Sequence, residues 1–477
     1  MPAIYHGYGC GDIFNTLNIA ADGLHHCCYS LNREWTMPGH HETFPLDLYL
    51  TQMHRLVADN EKRQGPCQGC FKLASGTYPR EFSGFKFVVL NHFAECNAKC
   101  YYCSRPGLKL PTNYMRNPLP LLRELITRGL LAPEAVFNFS GGEPSVHKYL
   151  ADILDFFLGN GHNCSFCSNA LIFSPAISEF MRHKATSIII SLDSGTPESF
   201  RSVKGVDGFE QVSENVLKYA ERSTVILKYI VTPRATTEAD IEGFINLASQ
   251  VGAIIHISPE LGQYNAPDNS DYRRLLFSFA SRLYSAAYVR NLPATFSNFH
   301  PEDAARIRVA VLETMTLPDI TNRVFSGSVR ITEEELELFE KKVLAEIARL
   351  PAAPEPYRVL VELYNRQRRW PEAVSILSEA VSGHRDATGG LEASLGQAWA
   401  HLQKYDEAEA AYQKALTKNP DQLGWLYNLG YIRLKRGDHS GTREALRSIE
   451  AAERRTGAKF QKTELLLELA EKIRGRL

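Results

Sequence analysis

Between residues 85 and 260 six apolar runs, at 85–90, 135–139, 163–167, 187–192, 225–231 and 253–257, alternate with stretches of helical periodicity. Parallel strands need a crossover between them, usually a helix, so this alternation predicts a parallel α/β unit. Within 208–220, Phe209, Val212, Val216 and Leu217 recur at helical spacing, and a second helix over 241–247 comes after the cap-forming Thr236 and Thr237. Folds of this kind carry their sites at the C-terminal ends of strands. The residues just beyond each apolar run are therefore the first candidates for a site.

After the first run comes Glu95-Cys-Asn-Ala-Lys-Cys-Tyr-Tyr-Cys103, which places Cys96, Cys100 and Cys103 at C-x3-C-x2-C spacing. Four thiolates normally hold a cubane iron-sulfur cluster, so three in one loop leave one iron open to another ligand. The spacing alone leaves two other readings open, a zinc knuckle or three unrelated buried thiols. After the second run comes Phe137-Asn-Phe-Ser-Gly-Gly-Glu-Pro144, a strand entering a turn at Gly141, Gly142 and Glu143. Glycines at such a turn let the backbone approach a ligand closely.

Together the two motifs resemble those of the radical S-adenosylmethionine (SAM) superfamily. The resemblance implies an open (βα)6 partial TIM barrel and a 4Fe-4S cluster on Cys96, Cys100 and Cys103. It implies SAM bound through its amino and carboxylate groups to the open iron, with the Gly141-Gly142-Glu143 turn at the amino group. One-electron cleavage then yields methionine and a 5'-deoxyadenosyl radical, the electron coming from a donor such as a flavodoxin or ferredoxin. Other positions match singly. Tyr102 occupies the place of the family's aromatic against adenine. Ser168-Asn169-Ala170 resembles a Thr-Asn-Gly strand end, departing from it at both flanking residues. Ser191 and Asp193, in Ser191-Leu-Asp-Ser-Gly195, resemble the polar segment that holds the ribose or carboxylate. Lys228 fits a cation for the SAM carboxylate, and equally a strand lysine facing solvent.

Residues 1–80 hold a further cysteine pattern. Cys10, Gly23 and Cys28 have the spacing that opens the SPASM and twitch domains of radical SAM enzymes, and Cys67-Gln-Gly-Cys70 supplies a subsequent C-x2-C. The resemblance implies a second, auxiliary 4Fe-4S cluster on Cys10, Cys28, Cys67 and Cys70, with Asp22-Gly23 as the tight turn bringing two strands beside it. Four thiolates suit a structural zinc equally. The pattern departs from the family in preceding the barrel, and Cys27 is a competing ligand. Cys164 and Cys167 lie within an apolar run and read as packing residues.

A length of 477 residues exceeds one core. The chain divides into the cysteine-rich region 1–80, the barrel 81–262, a helical linker or barrel cap 263–331, and an all-α region 332–477. Within 263–331 the stretch 272–289 is helical by pattern, and 293–330 has no clear signal. In the last region Arg369-Trp-Pro-Glu-Ala373, Lys404-Tyr-Asp-Glu-Ala408 and Gly437-Asp-His-Ser-Gly441 recur at comparable positions, as do Leu395-Gly396 and Leu429-Gly430. Helix pairs with a period near 34 residues resemble tetratricopeptide (TPR) repeats, which implies peptide or protein binding, with dimerisation or bracing of the barrel as the plain alternative.

A formal net charge of −1 gives no electrostatic case for nucleic acid or a membrane surface. The start, Met-Pro-Ala-Ile-Tyr-His, lacks a secretion pattern, no run is long enough to span a bilayer, and ten cysteines suit metal ligation in a reducing cytoplasm. The expected activity is hydrogen abstraction from an unactivated carbon, in oxidative modification of a peptide or protein. Alternatives are dehydrogenation or epimerisation of a sugar, aminocyclitol or nucleotide, and a non-catalytic TPR scaffold or redox sensor. His92, Glu260 and Tyr264 fall near strand ends without an assignable role.

Overall fold

The computed structural model describes residues 4–20, 23–26, 37–38, 46–64, 67–68, 73–103, 117–184, 186–325, 331–351, 353–383 and 387–458. The chain forms two compact units, Met1–Val311 and Leu312–Leu477.

The first unit opens with β1 (Ile4–Gly9), α1 (Asp12–Asn15), β2 (Thr16–Ala20), β3 (Gly23–His25), β4 (Met37–Pro38), α2 (Leu46–Glu61) and β5 (Ala74–Pro79). Strands and helices then alternate: β6 (Phe85–Asn91), α3 (Leu119–Thr127), β7 (Leu131–Phe139), α4 (Leu150–Gly159), β8 (Asn163–Ser168), α5 (Pro175–His183) and β9 (Ser187–Ser191). Next come α6 (Pro197–Lys204), α7 (Phe209–Ala220), β10 (Thr224–Val231), α8 (Glu238–Val251), β11 (Ile254–Pro259), α9 (Leu261–Tyr264), α10 (Ser270–Val289), β12 (Ala294–Phe296) and α11 (Pro301–Thr314).

Six strands, β6 to β11, fall on the six apolar runs, and each pairs in parallel with the next. Their side chains alternate. Cys164, Phe166, Ile188, Ile190, Val225, Leu227 and Tyr229 are buried, while Ser165, Cys167, Ile189, Ser191, Ile226 and Lys228 point to the opposite, half-buried face. Cys164 and Cys167 therefore stand on opposite faces of β8. The crossover helices keep their sequence signals: α8 starts at a capping box in which Thr237 and Asp240 satisfy each other's backbone N–H groups, and ends at Gly252 with φ 60°.

The sheet extends past the six strands at both edges. β12 pairs in parallel with β11, so the 263–331 segment contributes a strand as well as helices. At the other edge β2 pairs in parallel with β6, and β3 and β4 continue antiparallel. Part of residues 1–80 thus belongs to the main sheet. The physical reason is that every residue of β2 is buried, with Leu17 and Ile19 fully so. β2 and β3 form a hairpin in which Ala20 faces Gly23, the place where the sequence predicts a tight turn. β1 and β5 make a separate two-stranded antiparallel sheet.

The second unit is helical: α12 (Leu317–Phe325), α13 (Glu333–Arg349), α14 (Pro354–Gln367), α15 (Trp370–Gly383), α16 (Gly390–His401), α17 (Tyr405–Lys418), α18 (Leu423–Lys435) and α19 (His439–Thr456). The three recurring motifs fall at the starts of α15, α17 and α19, the second helix of each pair. Gly396 shows why a small residue sits in the pairing face, since a Cβ there would lie 2.8 Å from the Tyr412 ring. Trp370 stacks on His401 at 3.8 Å. No helix among the described residues is long and apolar enough to cross a membrane.

Two buried histidines make the first unit sensitive to acid. Burial pushes His26, stacked on Tyr49 at 4.0 Å, down to about 4. Burial also holds His92 well below the usual imidazole range, with His147 adding to the effect. Unfolded histidines protonate near 6.5. As pH falls below that value, the unfolded chain takes up protons that the folded chain refuses, so stability is lost from about 6.5 down through the folded pKa. The urea midpoint should fall between pH 7.5 and pH 5, and His26→Phe should flatten part of that slope. A midpoint unchanged over this range would contradict the burial assigned to both rings.

Candidate active site

The loop from His92 to Cys103 leaves the C-terminal end of β6 and is clipped between two other elements. On one side, Ser140, Gly142 and Glu143 donate backbone N–H groups to the carbonyls of Leu90 (3.0 Å), Phe93 (3.1 Å) and Glu95 (2.7 Å). On the other, Lys99 and Tyr101 donate to Lys204 (2.8 Å) and Val203 (3.1 Å) at the end of α6. The glycines of the Gly141-Gly142-Glu143 turn are thereby explained within the protein. A Cβ on Gly142 would lie 2.2 Å from the Glu95 carbonyl, and Gly141 has φ 116°. The cysteine loop itself makes a close approach to this turn.

Glu143 is 1% exposed and spends its carboxylate on the chain. It accepts from Ser145 N–H (3.1 Å), Ser168 Oγ (2.8 Å) and Asn169 N–H (2.7 Å). Burial raises its pKa, and those three donors work against the rise. Asn169 then reaches the cysteine loop, donating from Nδ2 to Asn97 Oδ1 at 2.8 Å and lying 3.6 Å from Cys96 Sγ. Ala170 sits in the left-handed region at φ 56°, where the Thr-Asn-Gly pattern has glycine. Its N–H donates to Ser168 Oγ (2.9 Å), and Asn215 Nδ2 donates to its carbonyl (2.8 Å).

Beneath the loop lies a buried triad. Asp193, fully buried and at φ 59°, accepts from Lys204 Nζ (2.5 Å), Tyr102 O–H (2.5 Å) and the Ile230 N–H (2.7 Å). Burial pulls the Lys204 ammonium down, but Asp193 together with the nearby Cys100 and Cys96 outweighs it and the net shift is upward. Tyr102 thus has its hydroxyl fixed by Asp193, leaving only its ring to face a ligand. Asp193 has both oxygens engaged inside the protein. Ser191 and Lys228 are register partners on the half-buried sheet face, and His256 and Thr295 continue the same row across β11 and β12.

Lys204 carried no sequence motif. Its signal was a lysine on the same helical face as Phe200 and Val203, both fully buried. A second clasp was equally silent: Tyr101 O–H donates to Glu260 Oε2 at 2.6 Å across the strand ends, and the Arg234 guanidinium lies 3.9 Å from the Tyr101 ring centre. His92 Nε2 meets His147 Nε2 at 3.1 Å in the apolar base of the loop. Tyr264 bonds Asp303 at 2.5 Å.

The loop suits a metal cluster by its surroundings. The Ala98 N–H lies 3.5 Å from Cys96 Sγ, and the Lys204 charge favours the Cys100 thiolate. Burial nevertheless pushes the thiols of Cys96 and Cys100 up, with Cys103 adding to both, so deprotonation has to come with the metal. Among the described residues no three Cys, His, Asp or Glu side chains are gathered closely enough to hold a metal ion. Ligation by Cys96, Cys100 and Cys103 requires their side chains to turn toward a common point. Of the N-terminal cysteines, Cys10 and Cys67 are half-buried, while Cys28, Cys70 and Cys27 lie outside the described residues.

Residues 90–248, which include the cysteine loop, the glycine turn, the triad and Lys228, match the family model described as the radical SAM superfamily, and residues 393–422 match a tetratricopeptide repeat. The chain carries a radical SAM domain. Among curated proteins, similarity extends to a "Probable GTP 3',8-cyclase" of Methanococcus vannielii, 24% identical over 181 residues, covering 38% of this chain and 59% of that protein. A protein of the same name from Thermococcus kodakarensis is 22% identical over 163 residues, covering 34% of this chain and 53% of that one. The chain spans less than two thirds of the length of these relatives. Among solved structures, Streptococcus suis SuiB bound to precursor peptide SuiA aligns at a TM-score of 0.38 and 14% identity, over 61% of this chain and 59% of that one.

Proposed function

We propose that the radical SAM domain cleaves SAM reductively and abstracts hydrogen from a peptide or protein substrate. The observation that carries this is the clipping of the cysteine loop to the glycine turn on one side and to the Asp193–Lys204 pair on the other. Cys96, Cys100 and Cys103 would hold a 4Fe-4S cluster, which when bound would supply the electron for reductive cleavage of SAM. The chain's own residues do the positioning. Glu143 ties the β8 end to the glycine turn, which leaves the turn's backbone, rather than the carboxylate, to meet an amino group. Asn169 couples that strand end to the loop. Lys228, beside His256 and Ser191 on the inner sheet row, is the cation placed for a carboxylate. The Tyr101–Glu260 clasp holds the loop against the end of β11 and helps keep water from the reacting carbon.

Cys10, Cys28, Cys67 and Cys70 enter this proposal as ligands of a second 4Fe-4S cluster. With four protein ligands such a cluster would have no open iron for substrate and would supply electron transfer, making the net reaction an oxidation; a zinc ion in its place would be structural.

The peptide reading is supported by the helical unit. A cavity of about 330 Å³ opens between first helices of neighbouring pairs, lined by Arg358 of α14, Ser394 and Gln397 of α16, and Trp425 and Asn428 of α18. Amide side chains and an arginine beside an indole suit an extended peptide, whose backbone needs donors and acceptors and whose side chains need an apolar contact. A second reading, a purine nucleotide as substrate, draws on the name of the curated relatives. The test monitors 5'-deoxyadenosine release by the reduced, reconstituted protein. A polypeptide fraction should stimulate the wild type several-fold and the Trp425→Ala/Asn428→Ala variant much less. Stimulation by GTP alone, equal in both proteins, would replace the peptide reading with the nucleotide one.

A further inference from the structure

The cysteine loop and glycine turn occupy the C-terminal ends of the strands, yet a larger cavity lies at the opposite ends. It has a volume of about 750 Å³, within the range of sites that hold a small molecule. It sits among the early residues of β8 to β11 and the links that come after α5 and α7. β8 alone separates the two ends by about 17 Å, five steps of strand rise.

The lining divides by chemistry. Its lining includes the apolar Val136, Met181, Ile226 and Ile254, with the small polar Ser165, Ser187 and Thr224 between them. Its rim is cationic, with Arg182, Lys184 and Arg222, and no Asp or Glu is among the lining residues. Part of this charge has local work. Arg182 and His183 share Glu179, and Lys184 Nζ donates to the Gly161 carbonyl at 2.9 Å. The Arg182 and His183 pairs with Glu179 are more than half exposed at the cation, so they hold the side chains weakly and leave them free to turn toward an anion. Cations at helix C-termini also complement the helix dipole, which accounts for one at each helix end. It does not account for their convergence on a void lined by apolar and uncharged polar side chains and by no carboxylate.

We propose that this N-terminal mouth of the barrel binds a nucleoside phosphate, its base on Val136, Ile226 and Ile254 and its phosphates on Arg182, Lys184 and Arg222. Guanidinium groups match phosphate geometry, and a lysine adds a point charge. The site is separate from the SAM site and independent of what the radical acts on.

The test is calorimetric titration of the full-length protein with ADP, in the presence of saturating SAM so that the C-terminal site is filled. Saturable binding is expected in the wild type. It should weaken at least tenfold in Lys184→Glu/Arg222→Glu, while SAM affinity stays unchanged. Arg222 is exposed, and the single variant Arg222→Glu should show a smaller loss in the same direction should the double variant fold poorly. No saturable ADP binding, or binding that survives both variants, would overturn the proposal, as would adenosine binding as tightly as ADP.

Discussion

Asp193→Ala should destabilise the first unit by about 3–5 kcal/mol, because it strands the Lys204 ammonium without its counter-charge in a site where both side chains are at most 1% exposed. The same change leaves the Tyr102 hydroxyl and the Ile230 N–H without their acceptor. Urea denaturation with separate probes for the two units measures it. The double variant Asp193→Leu/Lys204→Met removes both charges and should recover the part of the loss due to the stranded ammonium, the Tyr102 hydroxyl and Ile230 N–H still lacking their acceptor. A loss below about 1 kcal/mol for Asp193→Ala would mean that the pair is hydrated and does not anchor the loop. The variant should also weaken SAM cleavage, since Lys204 and Val203 hold the loop backbone at Lys99 and Tyr101.

Cys100→Ala should reduce 5'-deoxyadenosine formation to background while moving the unfolding midpoint little, because the side chain is small and only partly buried. Cys164→Ala is the informative contrast. Its thiol is fully buried against the helices and burial pushes its pKa far up, so it should affect packing and leave SAM cleavage in place. Cleavage that survived Cys100→Ala would remove that residue from the cluster.

The parts of the fold that could be read from the sequence were those with local periodicity. Six strands and helices such as α7 and α10 announce themselves within a dozen residues, because alternation and helical spacing reflect which side chains face the core. β12 has only three residues, too few to show a period. β2 was hidden for a different reason: its partner is β6, some seventy residues away, and a five-residue buried strand in a cysteine-rich stretch looks like part of a separate domain.

The site divides in the same way. Cys96, Cys100, Cys103 and the glycine turn stand in contiguous motifs. Tyr102, Asp193 and Lys204 meet only because α6 returns to the cysteine loop, so their pairing is a property of topology. Family resemblance pointed Tyr102 and Asp193 toward a ligand, while the structure shows their polar atoms bonded to each other. The glycines of the turn were legible as a close approach, but not the partners, which are Asn91 and the Phe93 carbonyl for Gly141 and the Glu95 carbonyl for Gly142.

The measurement that bears most directly on the radical SAM assignment is anaerobic reconstitution with iron and sulfide, then iron and zinc analysis and assay of 5'-deoxyadenosine after reduction in the presence of SAM. Formation of 5'-deoxyadenosine with about eight irons per chain is expected, one cubane on Cys96, Cys100 and Cys103 and one on the N-terminal quartet. About four irons and one zinc would make the N-terminal site structural and withdraw the oxidation. Absence of any 5'-deoxyadenosine from iron-loaded protein would contradict the assignment of a radical SAM site to this loop.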